Sequence, residues 1–153
     1  MDLILWRHAE AEDGLDDLQR ALTPRGRRQA ARMAQWLKQN LPQPWAVLAS
    51  PARRTQETAD ALHLPFITDD CLLPGASAQA VLTVADWPAR EGSLVVVGHQ
   101  PVLGQAAAQV LTGKPAAWSL RKGAIVWLTS RDREGGTPVQ LRASLSPDLI
   151  GDR

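Results

Sequence analysis

Residues 93–101 read Ser93-Leu94-Val95-Val96-Val97-Gly98-His99-Gln100-Pro101. Leu94 to Val97 are consecutive aliphatic residues with no polar alternation. Such a run marks a strand that is apolar on both faces, as inside a parallel sheet covered by helices. It stops at Gly98-His99. Pro101 then opens a helix whose apolar residues Val102, Leu103, Ala106, Val110 and Leu111 point inward, until Gly113-Lys114-Pro115 ends it.

The same strand-then-helix pattern repeats on both sides of this stretch. Leu3–Trp6 is a short apolar run broken at Arg7-His8, and Ala9 to Arg20 reads as a polar, acid-rich loop. Thr23-Pro24 is a cap followed by a first-turn proline. The helix it opens carries Ala30, Met33, Ala34, Leu37 and Leu41 on one face. Its other face holds Arg25, Arg28 and Arg32, where solvent is the expected neighbour. Pro42 and Pro44 end it. Trp45–Ala49 predicts a second strand, and Ser50-Pro51 repeats the cap-and-proline signal for a helix reaching about Leu62. A short third strand is expected at Leu64–Thr68, a turn at Leu73-Pro74-Gly75 and a helix at Ala78–Ala85. Ala124–Thr129 predicts a strand, residues 131–136 a charged loop, and Val139, Leu141 and Ala143 a half-exposed edge strand. The expectation is therefore a single α/β domain over residues 1–153. Its architecture is three-layer α/β/α, with a mostly parallel central sheet and an antiparallel edge hairpin near the C-terminus.

Composition narrows the chemistry. The 153 residues carry a net charge of +1, so no global field draws nucleic acid or an anionic membrane, and any positive potential is local. Arginine supplies 14 of the 17 basic residues. Base composition of the gene explains such a bias as well as function does, although arginine also offers a forked grip on phosphate. One cysteine, Cys71, excludes a disulfide framework and fits a reducing cytosol. Beside Leu72 and Leu73 it reads as a small buried thiol. The apolar run at the N-terminus is too short for a signal peptide or a membrane span, so a cytoplasmic protein is expected.

Open α/β sheets bind ligands beyond the carboxyl ends of their strands. The first strand here is followed by Arg7 and His8, the second by Ser50-Pro51 with Arg53 and Arg54, and the long apolar strand by His99. A lone histidine at a strand end is as a rule structural. Three strand ends bearing His, Arg and His are a rarer coincidence, and together they suit phosphate. Arginines neutralise and grip the anion, helix N-termini add N–H groups, and a neutral imidazole can attack phosphorus. The third histidine, His63, follows a helix and reads as a surface or capping residue. Metal binding is disfavoured because the arginines repel a cation and no further ligand cluster is evident. A dinucleotide site is disfavoured because Arg7-His8-Ala9-Glu10 replaces the glycine-rich turn.

Four segments carry a resemblance: Leu5-Trp6-Arg7-His8-Ala9-Glu10; residues 17–26, Asp-Leu-Gln-Arg-Ala-Leu-Thr-Pro-Arg-Gly; residues 50–58, Ser-Pro-Ala-Arg-Arg-Thr-Gln-Glu-Thr; and Val97-Gly98-His99-Gln100-Pro101. In this order and spacing, over about residues 3–111, the chain resembles the histidine phosphatase superfamily of phosphoglycerate-mutase-like fold, in its small SixA-type branch. The resemblance implies that His8 is a nucleophile passing through a phosphohistidine. It implies that Arg7 and Arg54 bind phosphoryl oxygens, and that His99 contacts the phosphoryl group and stabilises the transition state. Arg20 would be a further phosphate ligand of this branch. Arg54, rather than its neighbour Arg53, occupies the family's position, and Thr58 would pack or hydrogen-bond. No metal and no cofactor are implied.

One departure matters. Many superfamily members place a catalytic acid in the segment that here reads Leu72-Leu73-Pro74-Gly75-Ala76-Ser77, without a carboxylate. Asp69, Asp70, Glu10 and Glu12 remain as candidates. Expelling an alkoxide from a phosphate ester needs a proton donor, whereas imidazole leaves readily because its conjugate acid titrates near pH ~6.5. The expected function is a metal-independent phosphatase removing phosphate from phosphohistidine on a protein, such as a histidine phosphotransfer domain. The alternatives are a phosphatase for small phosphorylated metabolites, a phosphate-binding module without turnover, and a mutase, for which the short chain offers little enclosure. No nucleic-acid or membrane partner is expected.

Overall fold

The computed structural model describes residues 1–131 and 138–150. Along these residues run β1 (Asp2–Arg7), α1 (Pro24–Asn40), β2 (Trp45–Ala49), α2 (Arg53–Asp60), β3 (Ile67–Thr68), α3 (Ala78–Val84), β4 (Ser93–Gly98), α4 (Val102–Thr112), β5 (Ile125–Thr129), β6 (Gln140–Leu145) and α5 (Pro147–Ile150). The strands form one sheet in the order β3-β2-β4-β1-β5-β6. The first four in that order are parallel, β5 is antiparallel to β1, and β6 is antiparallel to β5 at the edge.

The period of two along each inner strand divides the core in half. Leu94 and Val96 of β4 join Leu3, Leu5 and Leu48 in one cluster, closed by residues of α3 and α4. Val95 and Val97 join Ile4, Trp6, Val47 and Ala49 in the other, closed by α1 and α2. All four aliphatic residues of β4 are fully buried. Burying such a side chain is worth about 1.5–3 kcal/mol, so both faces of β4 hold helices in place. This is the expected three-layer arrangement.

Register then places the functional edge. Val97 of β4 pairs with Ala49 of β2 on one side and with Trp6 of β1 on the other. The ladder continues one step past the strands, with Ser50 N–H donating to the Val97 carbonyl at 3.1 Å and His8 N–H to the Gly98 carbonyl at 3.1 Å. The segments after β2, β4 and β1 therefore emerge side by side at the carboxyl edge.

Several expectations are corrected. Ser50 does not cap α2. The N-cap is Ala52, without a side-chain hydrogen bond, because the Ser50 hydroxyl accepts the Ala52 N–H at 3.2 Å and bonds to another partner described below. The helix stops at Asp60 rather than Leu62, and His63 beyond it is exposed in the left-handed region, at φ 54°. The third strand shrinks to Ile67–Thr68. Cys71 is exposed rather than buried, because the tight 3₁₀ turn Asp70–Leu72 sends only Leu72 into the core. The loop 9–20 contains another such turn, Asp17–Gln19. The charged loop expected at 131–136 lies, beyond Arg131, outside the described residues.

The join between the loop after β1, which carries Glu10, and α1 is tight. Thr23 Oγ1 accepts the Gly26 N–H at 2.9 Å as a true N-cap and donates to Glu10 Oε2 at 2.7 Å. A Cβ on Gly26 would overlap the carbonyl oxygen of Glu10. Helix propensity alone would make Gly26→Ala stabilising by about 1 kcal/mol. Overpacking against a backbone costs about 1–3 kcal/mol and wins. Gly26→Ala is expected to lower the urea midpoint without changing the slope of the transition. An equal or higher midpoint would contradict this packing.

Candidate active site

His8 lies just past β1, buried, and its ring is oriented by its own chain. Nδ1 sits 2.8 Å from the carbonyl oxygen of Ala9. A carbonyl can only accept, so Nδ1 carries the proton, and Nε2 is left with its lone pair. The Ala9 carbonyl is held in turn. Its residue's N–H donates to Thr58 Oγ1 at 3.1 Å, and that hydroxyl donates to the Arg54 carbonyl at 2.7 Å. Thr58 thus ties the His8 segment to α2.

Arg54, in the first turn of α2, is 4% exposed and faces both histidines. Its Nε lies 3.4 Å from His8 Nε2, and its Nη2 lies 3.3 Å from His99 Nδ1. A guanidinium has no acceptor, so His99 Nδ1 must be bare, and His99 Nε2 then donates to Ser50 Oγ at 2.8 Å. The two imidazoles stand 5.4 Å apart, centroid to centroid, tilted by 57°. Their tautomers are opposite, each set by a neighbour that leaves no choice.

The remaining arginines converge from other elements. Arg7, at the end of β1, donates from Nη1 to the Leu120 carbonyl at 2.6 Å, while its buried Nε has no acceptor among the described residues. Arg20 reaches across from the loop. It is bound to Asp17 Oδ1 through Nη2 at 2.9 Å and Nε at 3.1 Å. Asp17 also holds Arg54, accepting at its carbonyl from Nη1 at 2.6 Å and at Oδ2 from Nη2 at 3.2 Å. Arg7, His8, Arg20, Arg54 and His99 are thereby brought to one place. Arg53 points away, more than half exposed beside Glu57.

Charge and burial set the protonation. Burial lowers the His8 pKa from 6.5 to about 4, helped by the positive charges of Arg54, Arg7 and Arg20 and resisted by the Ala9 hydrogen bond. Burial, then Arg54, pulls His99 down to about 3. Both rings are neutral at neutral pH, so the His8 Nε2 lone pair is available to attack an electrophile. Three guanidinium groups around it can neutralise a doubly charged anion.

Among the described residues, no carboxylate in this cluster is poised to donate a proton. Slight burial raises the Asp17 pKa, but the hydrogen bonds and charges of Arg20 and Arg54 outweigh it and hold the group below the usual carboxylate range. Asp69 accepts the Cys71 N–H in the 3₁₀ turn, and Glu10 is engaged with Thr23. Glu12 is exposed and contributes its carbonyl to Arg20 at 3.3 Å. Asp70 is exposed.

Ser50 and Asp17 are the site residues that sequence reasoning missed. Ser50-Pro51 carries the local pattern of a helix cap, yet Ser50 follows β2 as His99 follows β4. Adjacency of those parallel strands was the signal that could have paired them. Asp17 had no such signal, because its role comes from a loop folding back over α2.

Comparison with known proteins agrees with this geometry. A family model described as the histidine phosphatase superfamily (branch 1) matches residues 3–73. An uncharacterized protein of Mycobacterium tuberculosis is 36% identical over 102 residues, 62% of this chain and 63% of that protein, so the match spans under two thirds of that relative. The phosphohistidine phosphatase SixA of Escherichia coli is 30% identical over 123 residues, 74% of this chain and 76% of SixA. The solved structure of the protein histidine phosphatase SixA complexed with tungstate superposes with a TM-score of 0.83 at 27% identity. It covers 99% of this chain and 100% of the other.

If Ser50 orients the His99 ring, Ser50→Ala should weaken binding of orthophosphate, measured by titration calorimetry. One net hydrogen bond is worth about 0.5–1.5 kcal/mol, a loss of roughly two- to tenfold. Unchanged affinity would show that His99 is held without Ser50.

Proposed function

The chain belongs to the histidine phosphatase superfamily, in its SixA-type branch, and on that premise we propose that it removes phosphate from phosphohistidine on a protein, without a metal, through His8. The observation that carries this reading is the His8 tautomer. Nδ1–H is tied to the Ala9 carbonyl, so Nε2 faces the arginines as a neutral nucleophile.

In the first step His8 Nε2 attacks phosphorus in line, a P–N bond to Nε2 forms, and the P–N bond to the substrate ring breaks; that ring, protonated from solvent at its other nitrogen, leaves as neutral imidazole. Arg7, Arg20 and Arg54 take the phosphoryl oxygens. Arg54 Nε swings its weak hydrogen bond from His8 to the anion, and the orphaned Arg7 Nε finds an acceptor. The incoming negative charge raises the proton affinity of the nearby His99, which takes up a proton from solvent at Nδ1 and then donates a hydrogen bond to the phosphoryl group as charge develops. In the second step water attacks the phosphohistidine, orthophosphate departs, and the Nε2 lone pair is restored.

The carboxylates support a P–N substrate. Asp17, beside the arginines, is held ionised and is a poor acid. Imidazole needs little help in leaving, because its conjugate acid titrates near pH ~6.5. An alkoxide would need a proton that no carboxylate among the described residues of the site is placed to give. The related SixA structure is a complex with tungstate, a tetrahedral oxyanion, which supports phosphate chemistry in this family. The positive charge that a metal would supply comes from the guanidinium groups.

The test is a histidine phosphotransfer domain, phosphorylated and incubated with the wild-type protein and with His8→Ala. The wild type should strip the phosphate and carry a transient acid-labile label on His8. The variant should be slower by a factor on the order of 10³ or more. Equal loss in both samples would contradict the proposal, and strong turnover of one ester instead would assign the site to small phosphorylated metabolites.

A further inference from the structure

A second charged feature adjoins the site. A groove of about 610 Å³ runs between the N-terminal half of α1, residues 119–122 and the start of α5. Its walls carry Arg25, Arg28, Arg32, Arg121 and Lys122, and Arg7 also lines it. Among the described residues two carboxylates line it, Glu10, engaged with Thr23, and Asp148, 3.4 Å from Arg121. The whole chain carries a net charge of +1, so this is local segregation of charge rather than a generally basic surface. Arg7 is shared. It lines the groove, and its charge depresses the proton affinity of both His8 and His99.

We propose that this groove docks an acidic segment of the phosphorylated protein, beside the histidine presented to His8. The inference rests on the proposed function and extends it to the partner's surface. Arg25, Arg28 and Arg32 fall at i, i+3 and i+7, one stripe on α1 spanning about 10 Å at the rise of an α-helix. A single phosphate wants donors converging on one point. A ladder of this length matches a row of carboxylates on another chain. Arg25 and Arg28 are exposed and form no hydrogen bond or ion pair among the described residues, although the charge of Arg25 also acts on Asp148. A single-stranded nucleic acid would also offer a row of anions, but such strands are held by stacking on aromatic rings, and none of the described residues lining the groove is aromatic.

The test separates docking from turnover. A fluorescent, unphosphorylated glutamate-rich peptide is titrated by anisotropy at low salt against the wild type and Arg25→Glu/Arg28→Glu. Acidic residues in the first turns favour a helix, so the exchange leaves α1 folded, as circular dichroism will check. Affinity should drop about tenfold or more in the variant, and wild-type binding should weaken strongly in about 0.5 M salt. Turnover of phosphoramidate, which has no acidic neighbours, should stay within about twofold between the two proteins, while a phosphohistidine peptide flanked by glutamates should lose about tenfold in kcat/KM. The proposal is overturned by any of three results. The peptide binds neither protein or both equally, oligothymidylate displaces it at lower concentration than the unlabelled peptide does, or phosphoramidate turnover falls in parallel. A wild-type protein that binds the peptide yet cleaves no P–N substrate would defeat the proposed function and leave the docking surface standing.

Discussion

The hydrogen bond from His8 Nδ1 to the carbonyl oxygen of Ala9, 2.8 Å long, decides what the rest of the site can be. With the proton fixed on that nitrogen, the opposite edge of the ring is a bare lone pair. The guanidinium of Arg54 faces this edge, and with Arg7 and Arg20 it keeps a second proton away. Burial acts in the same direction. A site that must grip an anion with strong cations would ordinarily risk protonating nothing and neutralising everything. Here the same cations that would hold the anion also keep the histidine neutral, and therefore nucleophilic.

That hydrogen bond depends on the fold at several removes. Three parallel strands in register bring the residues after β1, β2 and β4 to one edge. Thr58 fastens Ala9 to α2, which also carries Arg54, so nucleophile and principal arginine move as one unit. Gly26 lets α1 approach the Glu10 backbone and closes the loop that delivers Asp17 and Arg20. Asp17 orients both arginines while remaining ionised, a positioning device rather than an acid. Ser50 does for His99 what Ala9 does for His8, at the opposite nitrogen.

The sheet was legible because its inner strands are buried on both faces. Leu94–Val97 admits no polar residue, and a continuous apolar run survives in the sequence where alternation would blur it. His8 and His99 were legible for a related reason, since each breaks an apolar strand abruptly. Less was readable where one residue serves two masters. Ser50 looks like a cap, but its hydroxyl is spent on an imidazole and on Ala52. Cys71 looked buried beside two leucines, but a 3₁₀ turn has no face wide enough for all of them. Arg25, Arg28 and Arg32 were read as a solvated face. Arg25 and Arg28 do meet solvent, whereas Arg32 is half-buried and donates to the Pro147 carbonyl at 3.3 Å; the partners that make them a groove, Arg121 and Lys122, lie some ninety residues downstream, beyond the reach of any local pattern.

The central claim is the protonation state of His8, and nuclear magnetic resonance of the protein with isotope-labelled histidine nitrogens tests it directly. His8 should show a proton on Nδ1 and none on Nε2 at neutral pH, should keep that form as the pH falls through 6.5, and should titrate only near about 4. A proton on Nε2 at neutral pH, or a titration close to 6.5, would contradict the account.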